Sequence, residues 1–279
     1  MLWRAGRFEF RFPRPTLVMG VLNVTPDSFS DAGRFISLPA ALAHAAAMVS
    51  AGADVIDVGG ESTRPGATMV SEAEEIRRVV PVIEQLAPRR AVPLSIDTQK
   101  PGVARAAPLA GASVVNDIAA NREEETMWQL VREFRAGYVV MHMQGTPQTM
   151  QERPVYADVV DAVDAFFADR LARLRAVGIA AEQVVLDPGI GFGKTVEHNV
   201  QLLRGLRRFT RHGRPLLLGV SRKSFLGALT GVTRPEERLP AALACAALSV
   251  REGISILRVH DVRETVQAVR MAETMAAPR

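Results

Sequence analysis

The chain has 279 residues, 48% of them hydrophobic, with a formal net charge of +4 and a pI of about 9.8. This length supplies ample apolar material for one large core, and the single cysteine, Cys245, excludes a disulfide framework. The first residues contain no apolar run of signal-peptide type, and no stretch approaches the ~18 apolar residues of a membrane span, which predicts a cytoplasmic protein with no membrane partner. Because the positive charge forms no basic block and is not interleaved with aromatic residues, a solvated arginine-rich surface is favoured over nucleic-acid binding.

The chain opens with the alternating segment Phe8–Phe12, which predicts a short hairpin. Eight short apolar runs follow, and several are apolar almost throughout, as strands covered on both faces are. These predicted strands are Leu17–Leu22, Val55–Val58, Pro93–Ile96, Ser113–Val115, Tyr138–Met141, Val184–Leu186, Pro215–Val220 and Ile256–Val259.

Amphipathic stretches separate the runs, and several have recognisable ends. Ser71 and Glu74 fit a capping box at the start of one helix. Glycines follow helical stretches at the position where a left-handed residue is expected, namely Gly52, Gly111, Gly137, Gly178 and Gly253. The predicted helices are Leu38–Ala51, Glu72–Leu86, Glu124–Arg135, Val155–Val177, Glu197–Phe209, Glu236–Arg251 and Val262–Ala276.

Eight strands alternating with helices over about 250 residues predict an α/β fold, a single (β/α)8 TIM barrel. A doubly wound open sheet is the alternative. No low-complexity linker or change of composition divides the chain, so residues 1–279 are expected to form one domain. The N-terminal hairpin is expected to be an arm that closes the barrel floor.

The glycine-rich segment 184–195, VVLDPGIGFGKT, raises the possibility of a nucleotide-binding phosphate loop. That motif requires a glycine five residues before the one that precedes lysine, and this position is Pro188. The even spacing of Gly189, Gly191 and Gly193 does not match the dinucleotide pattern either. The segment is therefore interpreted as a strand that ends in a carboxylate, Asp187, followed by a glycine-rich turn.

Polar side chains stand at the predicted carboxyl end of every strand, where the active sites of barrels are built. Lys223, Arg258, His260 and Asn23 belong to strands seven, eight and one, the usual phosphate-binding corner of the fold. Acceptor groups belong to strands three, four and six, and they suit a heterocycle with several N–H donors; they are Asp97, Asn116 and Asp187. A glycoside hydrolase with Asp97 and Asp187 as its carboxylate pair is disfavoured, because no tryptophan or tyrosine stands at a predicted strand end.

Lysine usage is selective. Only three of the 34 Lys and Arg residues are lysines, namely Lys100, Lys194 and Lys223. In such a chain a retained lysine can mark a place that requires a compact ammonium group. Met141-His142-Met143 could bind a soft metal, but packing along an alternating strand is the favoured interpretation.

Several segments resemble those of dihydropteroate synthases, from about residue 17 to the end of the chain. The segments are MGVLNVTPDSFSD (19–31), DVGGESTRPG (57–66), SIDT (95–98), VNDI (115–118), MHMQG (141–145), LDPGIGFGK (186–194), GVSRKS (219–224) and RVHDV (258–262). The resemblance implies a transferase that joins 6-hydroxymethyl-7,8-dihydropterin diphosphate to 4-aminobenzoate in folate synthesis. It further implies a barrel fold, a Mg²⁺ cofactor, a homodimer and competition by sulfonamide drugs.

The resemblance also implies roles for individual residues. It implies that the pterin is held by Asp97, Asn116, Asp187 and Lys223, in a slot formed with Met141, Phe192 and Gly219. It implies that the diphosphate is held by Asn23, Thr63, Arg64, Arg258 and His260, with Asn23 also a Mg²⁺ ligand. It implies that the aminobenzoate pocket contains Phe29, Pro65 and Ser224. The residues expected to stabilise developing charge during catalysis are Lys223, Arg64, Arg258 and His260.

Two other functions remain open at this stage. A methyltetrahydrofolate-dependent methyltransferase shares the pterin-binding barrel but needs no diphosphate site. A non-catalytic pterin-binding paralogue would be expected to lose Lys223 or Arg258, and both are present.

Overall fold

The computed structural model describes residues 1–25, 37–62, 69–89, 91–120, 125–146 and 148–276. Its central feature is a sheet of eight parallel strands in the order β8-β7-β6-β5-β4-β3-β10-β9. A parallel bridge between Leu186 and Leu216 joins the two outer strands, so the sheet closes into the predicted (β/α)8 barrel. The strands are β3 (Leu17–Asn23), β4 (Val55–Gly59), β5 (Leu94–Asp97), β6 (Val114–Asp117), β7 (Gly137–Met141), β8 (Val184–Asp187), β9 (Leu217–Leu218) and β10 (Ile256–Val259).

Helices surround the barrel. Those in the described ranges are α1 (Leu38–Ser50), α2 (Glu72–Leu86), α3 (Pro101–Ala110), α4 (Thr126–Phe134), α5 (Val159–Ala176), α6 (Val196–Phe209), α7 (Ser224–Thr230), α8 (Leu239–Val250) and α9 (Val262–Ala276). Helices α3 and α7 were not predicted. None of the helices in these ranges combines the length and hydropathy needed to cross a bilayer.

Local sequence explains several helix ends. Ser71 caps α2 through a bond from the backbone N–H of Glu74, as predicted. Asp158 caps α5 and starts it later than predicted, by accepting from the backbone N–H groups of Val160 and Asp161. The prediction for Gly137 is wrong, because Arg135 has the left-handed conformation after α4, with φ 49°.

The N-terminal strands β1 (Leu2–Ala5) and β2 (Phe8–Arg11) form the antiparallel hairpin that the sequence predicted. Trp3 is fully buried and its ring stacks on Phe10, with ring centroids 5.1 Å apart. Both pack against residues in the lower half of the barrel strands, which are Leu17, Met19, Val55, Val114, Val139, Val185, Leu217 and Ile256. The hairpin therefore closes the floor, and the opposite end of the barrel is left for a site.

Gly137 lies where the hairpin meets the barrel. A β-carbon at this position would be 3.0 Å from the β-carbon of Ala5 and 3.1 Å from Nε1 of Trp3. Gly137→Ala is expected to lower the free energy of unfolding by about 1–3 kcal/mol, because the hairpin would have to move outward. Urea denaturation measures the change, and Ala5→Gly in the same chain should recover part of it. Equal losses in the presence and absence of Ala5→Gly would show that the contact has no such effect.

Candidate active site

The carboxyl ends of the strands bring the predicted polar residues to one mouth. Asn23, Gly59, Asp97 and Asn116 occupy one register level on four adjacent strands. Gly59 has no side chain at the crowded centre of this row, where a β-carbon would lie 3.4 Å from Oδ1 of Asn23 and 3.8 Å from Oδ2 of Asp97. The glycine thus allows the amide of Asn23 and the carboxylate of Asp97 to approach each other.

Arg258 on β10 reaches into the acidic half of this mouth. Its Nη2 donates to Oδ2 of Asp97 at 2.5 Å, and its Nε donates to Oδ2 of Asp57 at 2.6 Å. The predicted cation Arg258 and the predicted acceptor Asp97 are therefore in direct contact.

Asp57 was not predicted as a site residue. It lies within β4, its side chain is fully buried, and its Oδ2 also accepts from Nδ2 of Asn116 at 3.0 Å. The sequence did contain a signal for Asp57, because it is a carboxylate inside the apolar run Val55–Val58. In a strand covered on both faces, a buried charge is costly unless it has a partner. Asp57 fixes both Arg258 and Asn116.

Two carboxylates share one guanidinium in this cluster. Burial raises the pKa of Asp97, and the nearby carboxylate of Asp57 adds to the increase, while Arg258 opposes it. Burial alone would lower the pKa of Arg258, but Asp57 and Asp97 outweigh that effect and raise it. Oδ1 of Asp97 and Oδ1 of Asp57 are buried and have no partner within the described ranges. Oδ1 of Asp97 is therefore an unused acceptor on the carboxylate whose other oxygen binds Arg258.

The second part of the mouth, which we call the ring slot, consists of Asp187 at the end of β8, Phe192 in the turn after β8 and Lys223 in the turn after β9. Asp187 ends β8, and its Oδ1 accepts from the backbone N–H of Gly189 at 2.7 Å, which leaves Oδ2 for a ligand. Nζ of Lys223 lies 3.9 Å from the centroid of the Phe192 ring. Met141 and Phe192 belong to a small buried apolar cluster with Ile118, Ala119, Met143 and Met150. A flat ring with polar edges would match this combination.

Burial shifts the pKa values of the two titratable groups of the ring slot, Asp187 and Lys223. Burial raises the pKa of Asp187 to about 6, although the bond from Gly189 and the cations Lys223 and Arg258 oppose the increase. Burial lowers the pKa of Lys223 to about 8, and Arg258 adds to the decrease. The same cations, Lys223 and Arg258, act on Asp187 and Asp97, so the slot and the Arg258 cluster form one electrostatic unit.

The turn after β9 positions further predicted residues. Arg222 adopts a left-handed conformation with φ 62°, and its Nη2 donates to Oδ1 of Asp261 at 2.9 Å. Ser221, before it, lies 3.0 Å from Nδ1 of His260 through its Oγ. Ser224 is exposed at the start of α7. Among the described residues that are not its chain neighbours, the nearest atom to a β-carbon at Gly219 would be the β-carbon of Arg258, at 3.9 Å.

Four predicted residues lie outside the described ranges, namely Phe29, Thr63, Arg64 and Pro65. Described residues on either side of 63–68 are held by a hydrogen bond and by ion pairs. Oε1 of Glu61 accepts from the backbone N–H of Val70 at 2.9 Å. Nζ of Lys100 lies 3.0 Å from Glu61 and 2.6 Å from Glu75, which is fully buried.

Metal binding by a preformed cage is not supported in the part of the chain that the structure describes. No group of three or more His, Cys, Asp or Glu side chains there could hold a metal ion. Asn23 supplies one amide oxygen at the mouth, which is a hard donor suited to Mg²⁺. Mg²⁺ commonly keeps several waters and is held by one or two protein ligands together with substrate phosphates. The donor set therefore fits an ion that arrives with a diphosphate.

Comparison with known proteins gives consistent matches. The family described as pterin binding enzyme matches residues 19–260. Dihydropteroate synthase of Escherichia coli K12 is 50% identical over 256 residues, which cover 92% of this chain and 90% of that protein. The Yersinia pestis dihydropteroate synthase, solved in a sulfonamide drug complex, superposes with a TM-score of 0.92 and 46% identity over 99% of each chain. The Xanthomonas albilineans dihydropteroate synthase, solved with 4-aminobenzoic acid, also has a TM-score of 0.92. It is 44% identical and covers 100% of this chain and 99% of its own.

Proposed function

Because this chain belongs to the dihydropteroate synthase family of pterin-binding enzymes, it is a transferase of folate biosynthesis, and we propose how its own residues divide the reaction. The reaction joins 6-hydroxymethyl-7,8-dihydropterin diphosphate to 4-aminobenzoate and releases diphosphate. The observation that supports the proposal is the pair of hydrogen bonds from Arg258, the proposed diphosphate-binding cation, to Asp57 and to Asp97, the latter a proposed pterin-binding carboxylate.

Ring recognition is assigned to the acceptors of the mouth. Oδ2 of Asp187 and Oδ1 of Asp97 accept from ring N–H groups, because the other oxygen of each carboxylate is already used by Gly189 or Arg258. Asn116 donates its amide N–H to Asp57, so its amide oxygen is the atom that can accept from the ring. Lys223 donates to the acceptor edge, while Met141 and Phe192 contact the ring faces.

Charge separation is the demanding part of the chemistry. The bond between the pterin methylene carbon and the diphosphate oxygen breaks, and a bond from that carbon to the aminobenzoate nitrogen forms. The nitrogen then loses one proton to solvent. The negative charge of the departing diphosphate is stabilised by Arg258 and His260, together with Arg64 and Thr63. Asp97 and Asp187 favour the positive charge that develops on the ring, and this supports a dissociative displacement.

Mg²⁺ is proposed as the cofactor of this step. Asn23 would hold the ion, with water and diphosphate oxygens as its other ligands. When bound, the ion supplies Lewis-acid stabilisation of the leaving diphosphate. Ser224, with Phe29 and Pro65, is proposed to bind the aminobenzoate, the ligand present in the Xanthomonas albilineans structure.

A homodimer is proposed on the basis of an apolar outer surface. Helix α8 (LPAALACAALSV) contains no charged residue, although Leu248 on it is 69% exposed. Leu229 on α7 and Met271 on α9, which flank α8, are also exposed. A second copy would cover this surface. Sedimentation equilibrium should therefore give twice the chain mass of 30.2 kDa, and Leu248→Glu should shift the protein towards the monomer. A wild-type monomer at micromolar concentration would contradict the proposal.

The cytoplasm is proposed as the compartment of this protein.

The decisive experiment is turnover of the two substrates, followed by diphosphate release and by formation of dihydropteroate. Equal amounts of the two products support the proposal. Methyl transfer from a methylated folate without diphosphate release would instead identify the methyltransferase. Pterin binding without turnover would identify a non-catalytic pterin-binding protein.

A further inference from the structure

A second lysine lies beneath the ring slot and has no role in the chemistry described above. Lys194 follows the glycine-rich turn after β8 and is only 3% exposed. Its Nζ lies 2.9 Å from the carbonyl oxygen of Phe192, 3.2 Å from the carbonyl oxygen of His142 and 3.0 Å from Nδ1 of His142. All three acceptors belong to loops at the mouth of the barrel.

These contacts connect two neighbouring loops at the level of the site. His142 directly follows β7, whereas Phe192 belongs to the turn after β8, and both are buried or nearly so. The loops are in very close contact, since a β-carbon on Gly189 would lie 1.9 Å from the carbonyl oxygen of His142. Lys194 is therefore one of the side chains that join the two loops, together with Gln151 and Tyr156, which donate to the carbonyl oxygens of Gly191 at 2.9 Å and Gly193 at 2.8 Å.

The environment of Lys194 is unusual for a lysine. The partners of its ammonium are neutral, and no carboxylate lies within ion-pair distance in the described ranges. Burial lowers the pKa of Lys194 to about 7, with Asp187 opposing and Lys223 adding to the decrease. Burial also lowers the pKa of His142 well below its usual value, so a neutral imidazole faces the lysine. A buried amine with such partners is costly for a purely structural purpose.

The connection leads directly to the ring slot. The carbonyl of Phe192 is held by Lys194, and the ring of the same residue lies against Lys223. Asp187 stands at the start of the same turn and is fixed there by the N–H of Gly189. A displacement of the turn would therefore move the ring wall and the carboxylate together.

We propose that Lys194 is a positioning residue for pterin binding, which holds the turn after β8 against the loop after β7 so that Phe192 and Asp187 keep their places in the slot. The inference rests on the proposed function of the slot. It concerns a residue that does not touch the substrate, and its effect passes through the backbone of the turn. A displacement of about 1 Å in a preorganised site can reduce the reaction rate by about 100-fold.

Lys194→Met tests the proposal, because methionine fills similar space and removes all three N–H donations. The expected result is a rise of at least about tenfold in the Kd for pterin, with a KM for 4-aminobenzoate close to that of the wild type. Should Lys194→Met fold poorly, Lys194→Gln keeps an amide donor and should show an intermediate rise.

Gln183→Met provides the matched control, because Gln183 directly precedes β8 whereas Lys194 follows it. Gln183 is buried, its Nε2 donates to the carbonyl oxygen of Ala136 at 2.8 Å, and its Oε1 accepts from the N–H of Ala180 at 3.1 Å. The control should lose thermal stability and keep wild-type pterin affinity.

Three outcomes separate the possibilities. Unchanged pterin affinity in Lys194→Met overturns the positioning role, as does an equal loss of affinity in Gln183→Met. Wild-type protein that does not bind pterin would instead contradict the proposed function itself.

Discussion

Arg258→Ala is expected to reduce kcat/KM by about 10²–10³-fold and to lower the free energy of unfolding by about 3–5 kcal/mol. The loss of activity follows because the guanidinium is a cation placed to receive the departing diphosphate. The loss of stability follows because Asp57 and Asp97 would remain at the mouth without their shared partner. Steady-state kinetics and urea denaturation measure the two effects separately.

The two effects of Arg258→Ala should separate when Asp57→Asn is added. The double variant lacks one of the two uncompensated carboxylates, so part of the stability should return while activity stays low. Arg105→Ala is the surface control, since Arg105 and Glu133 are about half exposed and their ion pair should contribute at most about 1 kcal/mol. Affinity for free pterin should fall less than affinity for the diphosphate-bearing substrate. Equal losses for both ligands would remove Arg258 from the anion site.

The stability loss in Arg258→Ala should depend on pH in a defined direction. Burial raises the pKa of Asp97 even in the wild type, and removal of the guanidinium should raise it further. A carboxyl whose pKa is higher in the folded state contributes its full stability below its ordinary pKa and loses it as the pH rises through the folded value. The deficit of the variant should therefore be largest in alkaline solution and small in acid. A deficit that grows on acidification would contradict this explanation.

Asp187→Asn is expected to weaken pterin binding by about 3 kcal/mol, a factor of about 100. Asparagine can still accept from the N–H of Gly189 through its own oxygen, so the turn should keep its shape. Its amide N–H group would then face a ring N–H, and two donors would oppose each other. Isothermal titration calorimetry with free pterin measures the loss, and a change below about threefold would refute the assignment of Asp187.

The same variant should alter the pH dependence of pterin binding. The pKa of Asp187 is raised to about 6 and that of Lys223 is lowered to about 8. Only the ionised carboxylate accepts two N–H bonds, so wild-type affinity should fall as the pH drops through about 6. It should also fall as the pH rises through about 8, when Lys223 loses its proton. Asp97, whose pKa is raised to about 7, should contribute to the acid decrease in both proteins. Asp187→Asn should lose only the step near pH 6 and keep the step of Asp97 and the alkaline decrease. A step near pH 6 that persists in the variant would argue against the assignment.

The fold could be predicted from local patterns because a barrel repeats one simple unit. Strands covered on both faces are apolar almost throughout, and this made β3 and β8 visible. Helix α3 (PGVARAAPLA) was missed because it contains Gly102 and Pro108, both unfavourable inside helices. Helix α7 has only seven residues and begins directly after a site lysine. In both, tertiary packing outweighs local propensity.

The site was predictable where side chains stand at strand ends, and less so where they lie deeper. Asp97, Asn116 and Asp187 follow apolar runs, and the structure places them at one mouth. Asp57 lies one layer lower, so a rule based on strand ends could not select it. Its role depends on Arg258, which is 201 residues away in the chain. No pattern in one sequence reports a contact of that separation.

The three lysines illustrate how composition can indicate environment. Lys194 is buried, and Lys100 and Lys223 are half-buried, while many arginines lie on the surface. Lys100 contacts two carboxylates, Lys194 contacts neutral acceptors, and Lys223 faces an aromatic ring. Each place takes a compact ammonium rather than a planar fork. The three lysines therefore occupy three different environments, which lysine usage alone did not distinguish.

The closure between β8 and β9 has a consequence for ligand tolerance. β9 has only two residues, and one bridge from Leu186 to Leu216 joins it to β8, whereas other neighbouring strands share longer ladders. Asp187 and Phe192 lie on one side of this seam, and Gly219 and Lys223 lie on the other. The proposed ring-binding residues thus lie on both sides of a strand contact that has a single bridge, and we expect the distance between them to adjust to bulkier heterocycles most easily there, because few backbone hydrogen bonds would be broken.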